Sequence, residues 1–112
     1  MHIIARPAIE AAKTRYPNAS AWLDCWWVAA SKARWTRLAD VRVFYPSADE
    51  VGQCLVFDAW GGDYRLICRM TYASQWTNGT LLVKHFLTHG DYDKNIWCKD
   101  CTPPEKKNDR DR

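Results

Sequence analysis

Histidine, glycine and proline are all scarce, with three, five and five among 112 residues. So little Gly and Pro excludes a collagen-like or low-complexity chain. With 47% hydrophobic and 26% charged residues, the composition also argues against disorder. Apolar runs are interrupted by charge within about eight residues, too short for a membrane-spanning helix. Met1-His2-Ile3-Ile4-Ala5-Arg6-Pro7 lacks a basic stretch leading into an apolar one, so no export signal and a cytoplasmic location are expected. There is no Gly-rich phosphate loop and no pair of metal ligands at helical spacing. His2, His85 and His89 are too isolated to argue for a metal site, and no cofactor is expected.

Five cysteines make an odd count, and without an export signal a disulfide framework is not expected. Cys25, Cys54 and Cys68 fall in apolar runs, where a thiol packs as a small hydrophobe. Cys98-Lys99-Asp100-Cys101 is a single Cys-x-x-Cys pair, whereas a closed zinc site needs four ligands. It runs into Thr102-Pro103-Pro104 instead of opening a helix, so it reads as a loose pair in the tail.

Charge is unevenly placed. The net charge is +3, but residues 1–46 hold seven Lys and Arg against three Asp and Glu, with Lys32, Arg34, Arg37 and Arg42 close together. Such a patch suits a phosphate backbone or an acidic protein; a solvated face is the alternative. Tryptophan is abundant, at seven residues. Trp22, Trp26 and Trp27 fall on one helical stripe and read as core. Trp35, beside Lys32, Arg34 and Arg37, is the candidate base-stacking ring, with burial as the alternative. The spacing leaves Trp76 and Trp97 open.

The patterning predicts an α+β domain over residues 1–97. Residues 2–5 suit a short strand, and two helices follow, from Pro7 and from Asn18 or Ser20. Residues 35–41 read as an irregular basic segment and 45–49 as a turn. From residue 53 the period becomes two, giving strands at 53–60, 63–72 and 80–88 joined through Gly61-Gly62 and Asn78-Gly79. This is an antiparallel meander with the N-terminal helices packed on one face. Residues 89–97 suit a short helix or turn, and residues 98–112 read as a disordered charged tail.

Alternation along the second long strand puts Tyr64, Leu66, Cys68, Met70 and Tyr72 on a core face and displays Arg65 and Arg69 on the other. Pairing with Asp58 or Asp63 across strands is the bland alternative. Whether Lys84 joins the arginines depends on a register that the sequence leaves open. Thr88-His89-Gly90-Asp91-Tyr92-Asp93-Lys94 then brings acid–base groups to the end of a strand. Cleaving RNA needs a base for the 2′-hydroxyl, cations for the phosphate and an acid for the leaving oxygen, and His, Tyr, Lys and Arg can supply these.

Several ordered segments carry a family resemblance. Met1-His2-Ile3-Ile4, Ala33-Arg34-Trp35, Pro46-Ser47-Ala48-Asp49-Glu50-Val51-Gly52, Tyr64-Arg65-Leu66-Ile67-Cys68-Arg69 and Thr88-His89-Gly90-Asp91-Tyr92-Asp93-Lys94 resemble the HigB toxins across residues 1–97. The resemblance implies a RelE-like fold and a metal-independent, ribosome-dependent mRNA interferase. It also implies a helix-turn-helix antitoxin of the HigA type as partner, with DNA engaged only through the antitoxin complex and no membrane involved. Arg65, Arg69, His89 and Tyr92 would be catalytic, with Arg65 and Arg69 on the scissile phosphate and His89 or Tyr92 moving protons. Lys32, Arg34, Trp35, Arg37, Lys84 and Lys94 would contact RNA. Gly90-Asp91, where Ala-Glu is common, His85, where an apolar residue is more usual, and the extension from Cys98 depart from the pattern. A RelE-like module that binds RNA or antitoxin without cleaving is the alternative reading.

Overall fold

The computed structural model describes residues 1–101. Strand β1 (His2–Ile4) leads into helices α1 (Arg6–Arg15), α2 (Ser20–Lys32) and α3 (Leu38–Phe44). Strands β2 (Asp49–Val51), β3 (Cys54–Ala59), β4 (Tyr64–Thr71) and β5 (Thr80–Thr88) follow, then α4 (His89–Asp93) and a 3-10 helix at Ile96–Asp100. The sheet has five strands in the order β1-β5-β4-β3-β2. The β3–β4–β5 meander stands as the alternation predicts, with β1 added parallel to β5 and β2 antiparallel to β3. The chain is thus α+β, with N-terminal helices on a mostly antiparallel sheet.

Local chemistry explains the elements. Pro7 occupies the first turn of α1, where its missing N–H costs nothing, and Lys13 and Arg15 lie in the last turn, where cations meet the negative helix end. Helix α2 buries Leu23, Trp26 and Ala30 at helical spacing. Trp22 and Trp27 are only partly buried and pack at the margin of the same core. Helix α3 replaces the expected irregular segment. The Asp40 carboxylate in its first turn accepts hydrogen bonds from the Thr36 backbone N–H (2.9 Å) and hydroxyl (2.6 Å), which anchors the helix start. Those bonds also hold the Asp40 carboxyl below its ordinary pKa, the Thr36 hydroxyl contributing most.

The two faces of the sheet carry separate apolar clusters. Leu55, Phe57, Leu66, Cys68, Leu81 and Val83 pack against α1 and α2 with Trp26, Trp35 and Val41. On the opposite face Cys54, Val56 and Ile67 are covered by Trp97 and Cys101. The C-terminal 3-10 helix therefore lies on the sheet, and residues 98–101 belong to the folded domain, not to a tail; the remainder of the expected tail, residues 102–112, lies outside the described residues. Cys101 is disulfide-bonded to Cys54, with the Cα atoms 5.2 Å apart and a sequence separation of 47. This corrects the expectation of reduced, unpaired thiols at both positions. Cys25, Cys68 and Cys98 are free.

Candidate active site

Strand register determines which candidate residues meet. Arg65 pairs across to Asp58 on one side and Leu87 on the other, and Arg69 pairs with Cys54 and Leu82. Both arginines share the face that carries Cys54, Val56 and Ile67. Sharing a face does not make them neighbours, because four strand positions span about 13 Å. The predicted set accordingly divides between the two ends of β4.

Arg65, at the first end, is largely enclosed, with its side chain 15% exposed. Its Nε meets the Asp58 carboxylate at 3.0 Å, and Nη1 donates to the carbonyls of Gly62 (2.6 Å) and Tyr64 (3.1 Å). The pairing with Asp58 named as the alternative is thus present. The guanidinium also lies 5.2 Å from the centre of the Tyr92 ring, and that ring stacks on Trp97 at 4.9 Å with 12° between planes. Trp97 in turn donates its indole N–H to the Tyr92 carbonyl at 2.9 Å. Tyr92 is therefore held from both sides, and burial pushes its hydroxyl above the ordinary tyrosine pKa. It stays protonated at neutral pH and can donate a proton.

The β5–α4 junction places His89 beside this group. The Thr88 hydroxyl accepts from the Asp91 N–H at 3.2 Å and so caps α4, and the His89 N–H donates to the Asp63 carbonyl at 3.0 Å. The His89 ring is exposed, with Nε2 3.5 Å from the Asp93 carboxylate. Lys94 is exposed and pairs with Asp91 at 3.3 Å. Thus Arg65, His89, Tyr92 and Lys94 gather at one end of the sheet.

Arg69 stands at the other end. Its Nη2 donates to Gln53 Oε1, a neutral acceptor, so no carboxylate offsets its charge among the described residues. It lines a cleft of about 290 Å³ with Ile4, Gln53, Met70, Thr71, Thr80 and Leu82. Lys84 joins neither group. The register passes from Ile67 opposite His85 to Cys68 opposite Val83, so Lys84 is the extra residue of a bulge and is exposed. The bulge instead aims His85 onto the arginine face, where Nε2 meets the Asp100 carboxylate at 2.6 Å. His85 therefore anchors the C-terminal segment.

The basic segment is exposed as predicted, except for its ring. Lys32, Arg34 and Arg37 are open or partly open to solvent, but Trp35 is only 2% exposed, edge-on to Tyr45 and beside Phe57. A ring enclosed in the helix-side core cannot stack on a base, which corrects the reading of Trp35. Its backbone carbonyl accepts from Ala73 N–H at 2.8 Å, tying the segment to the end of β4. The cleft formed by His85, Leu87, Asp91, Lys94, Ile96 and Trp97, about 250 Å³, is a site feature that the sequence does not signal. Among the described residues no group of three or more His, Cys, Asp or Glu could hold a metal ion, and no helix is long and apolar enough to cross a membrane.

The family model of HigB toxin, described as the RelE-like toxic component of a toxin-antitoxin system, matches residues 13–95. No curated protein matches the chain.

Proposed function

The chain belongs to the HigB family of RelE-like toxins, the toxic component of a toxin-antitoxin system, and on that premise we propose that it is a ribosome-dependent mRNA endoribonuclease that arrests translation in the cytoplasm. Its antitoxin partner is of the helix-turn-helix HigA type, and DNA is reached only through that partner. The observation that carries the reading is the Arg65–Tyr92 stack with His89 beside it at the strand end, within the family match.

The reaction is attack of a 2′-hydroxyl oxygen on the adjacent phosphorus. The P–O5′ bond breaks, a 2′,3′-cyclic phosphate remains, and the 5′ oxygen leaves with a proton. Tyr92, protonated and fixed between Arg65 and Trp97, is suited to give that proton. His89, exposed and steadied by Asp93, is suited to take the proton of the 2′-hydroxyl. Arg65 spends Nε and Nη1 on Asp58 and backbone carbonyls, so its main task is to position Tyr92. Arg69, bonded to a neutral amide and to no carboxylate among the described residues, offers its charge to phosphate, and its place four strand positions from Arg65, about 13 Å, suits a flanking phosphate of the same RNA strand. Lys94, Lys84, Lys32, Arg34 and Arg37 add long-range attraction for RNA.

Growth arrest on induction tests the assignment. Arg69→Ala, His89→Ala and Tyr92→Phe should each relieve it while the protein stays folded. Full arrest in all three would remove these residues from the mechanism. The non-catalytic reading draws on one observation, that the C-terminal helix packs over the centre of the arginine face. Binding to ribosomes without any cleavage product would favour it.

A further inference from the structure

Trp76 is 85% exposed, an unusual position for the largest apolar side chain. It is not on a loose loop. Its backbone N–H donates to the Ser74 hydroxyl at 3.1 Å, and Ser74 and Thr77 bridge across the turn with a 2.9 Å bond from Ser74 N–H to the Thr77 carbonyl. The Thr77 hydroxyl accepts from Gly79 N–H at 3.1 Å. Gly79 has φ +84°, and a Cβ there would lie 2.8 Å from the Met1 side chain and 2.9 Å from Ala73 N, so the turn is closely packed at its base. Nothing in these bonds requires a tryptophan at position 76.

The turn is fastened to the basic segment. Arg34 Nη2 donates to the Ser74 carbonyl at 2.6 Å, placing a guanidinium two residues from Trp76. Lys32 and Arg37 are exposed on the same segment, whose own ring, Trp35, is buried. A solvent-facing flat ring on an anchored backbone, with the Arg34 guanidinium at the same turn, matches what single-stranded RNA offers, a base face next to a phosphate.

We propose that Trp76 is a base-stacking residue of an RNA-binding surface formed with Lys32, Arg34 and Arg37. The RNA partner rests on the nuclease reading above, while the placement of the surface at the β4–β5 turn is independent of the catalytic end. The ring stacks on any base, and the cations hold the flanking phosphates. The surface thereby orients the strand without reading its sequence.

The test is the affinity of the purified toxin for a short single-stranded 2′-O-methyl oligoribonucleotide, which the proposed reaction cannot cut. Trp76→Ala should weaken binding about 5- to 150-fold, the range for one base-stacking ring. Trp76→Tyr should retain most of the affinity, and Trp76→Leu should not. Melting temperature should hold in all three. Lys32→Ala with Arg37→Ala should lower the slope of log Kd on log salt by about 0.7 for each phosphate no longer neutralised, whereas Trp76→Ala leaves that slope unchanged. No binding by the unaltered chain, equal binding by Trp76→Ala, or equal binding by the Leu and Tyr variants would overturn the inference. So would a Trp76→Ala variant that keeps RNA and loses the antitoxin, which would make the turn a protein-binding surface. Because the probe is uncuttable, the nuclease reading can fail while Trp76-dependent binding stands, and the reverse pair of results separates equally well.

Discussion

Arg65 and Arg69 have the same side chain on the same strand face, and their neighbours give them different uses. Arg65 faces the Asp58 carboxylate and two carbonyls, so Arg65→Ala removes charge-assisted bonds and should cost about 2 kcal/mol of stability. Arg69→Ala breaks only a bond to a neutral amide and should leave the melting temperature nearly unchanged while abolishing arrest. Thermal melting beside a growth assay separates the two. Equal destabilisation would undo the division of roles. The two tryptophans make a parallel contrast. Trp35→Ala opens a cavity in the helix-side core and should cost about 3–5 kcal/mol. Its indole N–H has no hydrogen-bond partner among the described residues, so Trp35→Phe should cost far less. Burial was one of the two readings of Trp35 beside Lys32, Arg34 and Arg37, and no local spacing distinguishes a ring facing Tyr45 and Phe57 from one facing solvent.

At the scale of elements, the C-terminal 3-10 helix is the main addition to the sheet. It is held by the Cys54–Cys101 bond, by Trp97 against Val56 and Ile67, and by His85 with Asp100. Closing a loop of 47 residues is worth roughly 4 kcal/mol in chain entropy. Cys101→Ser should lower the denaturation midpoint accordingly, and a variant as stable as the parent would show that the bond contributes nothing. The His85 hydrogen bond, the largest cause, holds the Asp100 carboxyl below its ordinary value of 3.8. A depressed carboxylate stabilises above its unfolded pKa, and that contribution is lost as pH falls through its folded value. The hydrogen-exchange protection of residues 96–101, measured relative to the intrinsic rate at each pH, should therefore fall below about pH 4 in the parent. In His85→Leu this pH dependence should disappear. Elements with a strong period were legible: the three long strands and two long helices lie where alternation and helical stripes predict them. Strand β2 was not, because three residues, Asp49-Glu50-Val51, carry no period and pair only by lying beside β3. Helix α3 hid in a basic stretch because its start rests on the hydrogen bonds between Asp40 and Thr36. The disulfide and the bulge at Lys84 are set by partners far along the chain, which spacing does not register.

The whole molecule divides its labour by location. The helices cover one face of the sheet, the C-terminal segment covers the centre of the other, and chemistry-bearing groups remain at the two ends of β4. The excess of positive charge in residues 1–46 lies in the part that reaches the β4–β5 turn through Arg34. Residue types and motif order sufficed to suggest the toxin family, which the match over residues 13–95 bears out. They did not reveal which groups the fold brings up beside Arg65 and Arg69 at the two ends of β4, since those partners come from other strands and from the C-terminal segment. Cleavage of mRNA on the ribosome is tested most directly by expressing the chain from a tightly repressed promoter and mapping 5′ ends on a translated reporter. Parallel samples would carry an untranslatable copy of the reporter, or the co-expressed antitoxin. New 5′ ends are expected within the translated message, absent from the untranslatable copy, absent with antitoxin and absent with Tyr92→Phe. Folded toxin that arrests growth yet leaves every message intact would contradict the nuclease assignment.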